Sequence, residues 1–156
     1  MDLTIHRARL EGAEQAVDLG LADGRIVTIQ EDELEAGRIA IDAAGALVSP
    51  PFVDPHFHLE NALLSGVANH SGTLREAIDI YAGIKRDMSR EDIVARATRA
   101  LRMAVANGTL FMRNNVDIDQ IAKVRLLDAI CAARDKFAGV IDVQIVAFPQ
   151  LGLARN

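Results

Sequence analysis

Two histidines separated by a single residue are the part of this sequence best suited to chemistry. They lie in Val53-Asp54-Pro55-His56-Phe57-His58-Leu59-Glu60. On a β-strand, residues two apart project to the same side, so His56 and His58 present their imidazoles together. Neutral imidazole is a good ligand for zinc or iron(II). An arbitrary His-x-His more often sits in a turn or hydrogen-bonds a neighbour. Here the pair follows a proline-rich boundary, Ser49-Pro50-Pro51, and ends a short apolar run, Phe52 to Leu59. That run reads as a buried strand with polar residues at its C-terminal end, where (β/α) barrels keep their active sites. His56 and His58 are therefore candidate metal ligands.

Other polar residues carry weaker readings. Asp54 is either a partner behind one of the histidines or an ordinary strand-end hydrogen bond. Glu60 and Asn61 either line the pocket or start the next helix. Arg113 is expected to pair with an acidic neighbour inside a barrel, and Asp117 to face the pocket from a strand end. His6 and His70 read as structural or solvent-exposed. Cys131 falls among apolar helix positions and reads as a small core residue rather than a nucleophile.

The elements that position the pair fall into two parts. Residues 1–51 read as short strands: Leu3 to Leu10, Ala16 to Leu21, Arg25 to Gln30, Ile39 to Ile41 and Ala46 to Val48. Asp23-Gly24 between two apolar runs is a hairpin signal, because glycine accepts positive φ without steric cost. A few short strands do not enclose a core alone, so this part is expected to be a portion of a composite β-sandwich. Residues 52–156 alternate between strand and helix. After the His-bearing strand come helices over 73–88, capped by Thr73, and from Ser89, where Ser89 and Asp92 form a weak capping box. Ile93, Ala97, Leu101, Ala104 and Val105 recur at helical spacing, and Asn107-Gly108 ends that helix. Leu110 to Val116 reads as a strand. A third helix is expected to be capped by Asp119, to bury Ile121, Val124, Leu127 and Cys131, and to end at Gly139. Ile141 to Phe148 reads as a strand with its C-terminal half buried on both faces. Alternating elements of this kind imply parallel strands joined by right-handed crossovers. They begin either a doubly wound sheet or a (β/α)8 TIM barrel, and three barrel-type strands are too few to close one.

Composition narrows the classes. The net charge is −5 over 156 residues, with no Lys/Arg run, so the electrostatic footprint of a nucleic-acid binder is absent. No apolar run is long enough to span a bilayer, and the N-terminus lacks a signal-peptide pattern. A lone cysteine permits no internal disulfide. The expectation is a cytoplasmic protein that binds neither membrane nor nucleic acid.

At this point a resemblance emerges. Pro51-Phe52-Val53-Asp54-Pro55-His56-Phe57-His58-Leu59 resembles the first barrel strand of the amidohydrolase superfamily. Ser71-Gly72-Thr73-Leu74, Ala106-Asn107-Gly108-Thr109, Arg113 to Asp117, and Asp142 through Phe148-Pro149-Gln150 are similar to bacterial cytosine deaminases and to hydrolases that remove alkylamines from triazine rings. The resemblance spans essentially the whole chain and covers the N-terminal part of such enzymes.

It implies an α/β fold: the first three strands of a partial (β/α)8 TIM barrel over 52–156, preceded by the β-sandwich portion over 1–51. It also implies one divalent metal, Fe2+ or Zn2+, which lowers the pKa of a bound water so that hydroxide attacks an amino-bearing ring carbon. His56 and His58 match the first two metal ligands. Gln150 matches a glutamine that hydrogen-bonds the substrate ring, and its amide offers both a donor and an acceptor. Phe-Pro-Gln argues against a dihydroorotase- or urease-like enzyme. Further ligands and the proton-shuttling residues come from later strands in the family. The isolated chain is therefore expected to hold metal weakly or not at all and to be inactive. The alternative is a truncated, non-catalytic fragment or half-barrel that forms an oligomer or needs a complementing chain. Asn114-Asn115 stand where the family pattern has Thr-His, and Glu60 where aspartate is common.

Overall fold

The computed structural model describes residues 1–64, 66–67, 69–150 and 152. They form two compact units, Met1–Pro50 and Pro51–Asn156.

The first unit is a four-stranded sheet ordered β3-β2-β1-β4. Its strands are β1 (Leu3–Ala8), β2 (Val17–Ala22), β3 (Arg25–Gln30) and β4 (Ile39–Asp42). Asp23 and Gly24, at φ 50° and 70°, turn β2 into β3, as a two-residue hairpin with both central residues at positive φ requires. β4 joins β1 in parallel. Ala46 to Val48 forms no strand; Leu47 makes one isolated bridge to Arg9. Asp18 ties the sheet to the following loop. Its carboxylate accepts the N–H groups of Arg7 at 2.8 Å and Leu34 at 3.0 Å, and meets His6 Nδ1 at 2.6 Å. The Leu34 and Arg7 N–H groups, together with His6, hold Asp18 down to a pKa of about 2. His6 is therefore structural, as its place in the β unit suggests.

The second unit is a parallel sheet of three strands in sequential order, β5 (Phe52–Phe57), β6 (Thr109–Asp117) and β7 (Asp142–Phe148). The helices are α1 (Leu74–Asp87), α2 (Arg90–Ala106) and α3 (Arg125–Asp135). The Thr73 hydroxyl accepts from Glu76 N and the Ser89 hydroxyl from Asp92 N, satisfying donors that a helix start leaves free. α2 and α3 pack against each other and against β6. The core lies on that side: Met112 and Val116 of β6 and Val143 of β7 bury against Ile93, Ala97 and Leu101 of α2 and Leu126, Ala129, Ile130 and Ala133 of α3. No helix among the described residues is long and apolar enough to cross a membrane.

Four expectations are corrected. α3 starts at Arg125, without a side-chain cap. Asp119 instead caps the turn before it, accepting from Ile121 N and Ala122 N. The buried stripe of α3 is accordingly Leu126, Ala129, Ile130 and Ala133. Val124 is exposed, and Leu127 and Cys131 are half-buried, because every position from Leu126 to Ala133 except Asp128 is apolar and periodicity alone did not fix the face. β5 is not buried: Phe52 and Val53 are 64% and 65% exposed, since β5 lies at the sheet edge and no described element covers its far face. For the same reason the C-terminal half of β7 is half-buried, with Ala147 exposed.

Candidate metal and ring-binding site

The histidine pair owes its direction to an irregularity in β5. Asp54 pairs with Met112, and Phe57 pairs with Asn114. Three steps along β5 thus match two along β6, so β5 carries one extra residue: a β-bulge at Pro55-His56. Paired residues of a parallel sheet share a face, and Met112 faces the helices. Without the bulge, His56 and His58 would share the helix side with Asp54. The extra residue inverts the alternation. Phe57 and Leu59 then pack into the core, and both imidazoles turn to the open face of the sheet. Proline, which cannot donate to a ladder, is tolerated here because the bulge already interrupts the pairing and β5 is an edge strand. The His56 N–H finds the Asp54 carboxylate, 3.1 Å away, which is the strand-end role for Asp54 rather than support of a ring.

The two rings converge. His56 Nε2 and His58 Nε2 stand 3.3 Å apart, with the rings edge-on at 65°. Two ligands of a tetrahedral ion at bond lengths of ~2.0–2.1 Å lie roughly 3.3–3.4 Å apart. The donor set and its spacing therefore fit a divalent metal. Among the described residues no group of three or more His, Cys, Asp or Glu could hold an ion.

Behind His58 lies Glu60, fully buried, whose Oε1 is 3.2 Å from His58 Nδ1. That bond raises the His58 pKa above its ordinary value; burial opposes the shift, and the Glu60 charge and the Asn115 backbone assist it. Glu60 is held in turn by the Asp117 N–H at 3.3 Å. The chain beyond the histidines is clamped by two neighbours. Asn114 Oδ1 accepts from Leu59 N at 2.6 Å, and Arg96 Nη1 donates to the carbonyls of Glu60 and Ala62, each at 2.8 Å. Asn114 therefore works on the helix side, while Asn115, the next residue of the strand, belongs to the open face.

Lys85 of α1 is fully buried and reaches two carboxylates at the end of β6, Asp117 at 2.5 Å and Asp119. Its ammonium also lies 5.4 Å from the Tyr81 ring centre. Burial works against the charge of Asp119, yet the Ala122 and Ile121 N–H groups and Lys85 together lower its pKa. The free oxygen of Asp117 accepts the Gln150 N–H at 3.2 Å. Gln150 is half-buried and stands two residues after Phe148, whose ring lies 5.6 Å from that of His58. Asp117 thus joins the histidine side of the site to the Gln150 side. Arg113 pairs with Gln144 at 2.7 Å, not with an acid, because its register partner on β7 is that amide.

Sequence reading missed Lys85 and Arg96, and noted Asn114 only as a departure from the family pattern, without its hydrogen bond to Leu59. Lys85 and Arg96 lie on helices read only for their caps and apolar positions, and each acts across more than thirty residues of chain. The only sequence signal was a lysine and an arginine at positions adjoining apolar stripes.

The chain is 32% identical to N-isopropylammelide isopropyl amidohydrolase from Pseudomonas sp. (strain ADP), over 97% of its own length and 39% of the relative's. Two solved structures superpose closely. The 5-methylcytosine deaminase of Klebsiella pneumoniae liganded with 5-fluorocytosine has 39% identity and a TM-score of 0.87, covering 97% of this chain and 37% of that one. The N-isopropylammelide isopropylaminohydrolase of Burkholderia multivorans has 29% identity and a TM-score of 0.83, covering 99% and 39%. The chain thus spans about two fifths of the length of these relatives. No protein-family model matches it.

Proposed function

We propose, from the premise that this chain is cytosine-deaminase-like and matches the N-terminal part of amidohydrolase-superfamily enzymes, that it carries one half of a metal-assisted site for hydrolytic removal of an amino or alkylamino group from a pyrimidine or triazine ring. The observation that carries this reading is the 3.3 Å convergence of the His56 and His58 Nε2 atoms. His56 and His58 would hold one divalent ion, Fe2+ or Zn2+. Such an ion, when bound, supplies a water acidified towards neutral pH. Gln150 would bind the ring, its amide presenting a donor and an acceptor to an adjacent carbonyl and N–H. Phe148 would give that ring an apolar wall beside His58.

The fold of residues 52–156 is, on this reading, the first three strands of a (β/α)8 barrel. Sequential strand order supports it, as do two helices packed together on one face; a doubly wound sheet reverses direction and covers both faces. Residues 1–51 would be part of a composite β-sandwich.

Two imidazoles are a weak metal site, and the acid–base groups needed for turnover are not among the residues assigned here. A half-barrel that needs a complementing segment or chain is therefore the second reading, favoured by the exposed face carrying Val53 and Phe111. The test is to titrate the chain with Zn2+ or Co2+ and to assay ammonia or amine release from cytosine, isocytosine and aminotriazines. Weak binding that His56→Ala abolishes, without release at enzymatic rates, is expected. Metal binding indifferent to His56→Ala would overturn the site, and rapid release by the chain alone would overturn the half-site.

A further inference from the structure

We propose that Glu60 is the positioning residue of the histidine pair, fixing the tautomer of His58 so that its Nε2 lone pair faces His56. The inference deepens the metal-site reading above and rests on it for its purpose, though not for its geometry.

Glu60 Oε1 lies 3.2 Å from His58 Nδ1. A carboxylate only accepts, so the proton of this contact sits on Nδ1, and Nε2 carries the lone pair. Nε2 is the atom 3.3 Å from His56 Nε2. With no ion between them, the same arrangement lets His56 Nε2–H donate to His58 Nε2. The opposite tautomer of His58 would set a lone pair against the carboxylate and an N–H at the point of convergence.

Glu60 has little freedom to do otherwise. Its side chain is fully buried, its Oε1 also takes the Asp117 N–H, and its backbone carbonyl is held by Arg96. Asp117 is itself fixed by Lys85. A carboxylate that orients a ligand histidine from behind typically changes metal affinity about 10- to 100-fold when it is removed. The competing acceptor is the Asn115 backbone, which also favours the protonated His58 ring.

Ring tautomers are read directly by long-range 1H–15N correlation on the 15N-labelled chain, recorded with the rings neutral and no metal present. The wild-type chain is expected to show His58 protonated at Nδ1. Glu60→Leu is expected to move the proton to Nε2, and Glu60→Gln, whose amide oxygen still accepts, to keep it on Nδ1. In a parallel Co2+ titration, Glu60→Leu weakens binding about 10- to 100-fold and Glu60→Gln restores most of it. A wild-type His58 protonated at Nε2 overturns the proposal, and that measurement needs no variant to fold. A folded Glu60→Leu that keeps the Nδ1 proton also overturns it, and assigns the ring to the Asn115 backbone. The expected tautomers without any Co2+ binding by the wild-type chain would support the hold of Glu60 on His58 and overturn the metal-site reading alone.

Discussion

His56 and His58 are set by one extra residue in β5 and by the hydrogen bonds that fix the chain immediately after it. Asn114 illustrates how closely that segment is held, since its amide oxygen is the partner of the buried Leu59 N–H. Asn114→Ala would leave that donor unsatisfied and should cost about 1–3 kcal/mol, measured by urea unfolding of the chain; Asn114→Asp keeps an acceptor but buries a carboxylate at a fully buried position, and should cost at least as much. Asp18 makes the corresponding prediction in the first unit. Its folded pKa is about 2, below the ordinary ~3.9 of an unfolded aspartate. The unfolded chain therefore binds this proton more tightly. The stabilisation is complete above pH ~4 and is lost as pH falls from there through about 2. Asp18→Asn should flatten the fall in stability within that window, and an unchanged acid limb in pH-dependent unfolding would remove Asp18 from the account.

At the level of elements, α1 docks through charge as well as apolar contact, since Tyr81 lies in the core and Ile84 packs against it. Lys85 is buried between Asp117 and Asp119, and Arg125 Nη2 donates to the Lys85 carbonyl from the start of α3. Removing one member of a buried ionic cluster leaves the others unpaired, at a cost of roughly 3–5 kcal/mol. Lys85→Met should lower the stability of the second unit by that amount in chemical denaturation. A loss within experimental error would mean that the cluster contributes nothing net. By contrast, Ser89→Ala removes only a helix cap and should cost about 1 kcal/mol. α1 and α2 were legible from these caps because capping is local chemistry, read from residues three apart. The start of α3 was not legible: Asp119 has the right chemistry for a cap, but Lys85 and the turn at 120–124 engage it instead.

For the whole molecule, the important feature is the surface left uncovered. Parallel sheets are ordinarily buried on both faces, yet Phe111 and Val53 of the second unit are 47% and 65% exposed. The first unit also exposes Ile26, Ile29, Ile39 and Ile41. Large apolar surface of this kind favours association. Sedimentation of the chain should show species heavier than 16.9 kDa, and Val53→Lys with Phe111→Lys should shift them towards the monomer. A monodisperse monomer before substitution would count against a half-barrel that seeks a partner.

The sequence by itself determined the local features: the Asp23-Gly24 hairpin, the two capped helices, the strand–helix alternation and the presence of two imidazoles two residues apart. Each depends on residues close along the chain, where propensity and spacing act directly. Only the tertiary structure decided which way those imidazoles point. Their face depends on the pairing of β5 with β6, where one inserted residue inverts every side chain after it. It also decided what stands behind them: Glu60, Asp117, Lys85, Asn114 and Arg96 meet there only because the crossovers bring separate segments together at the ends of the strands.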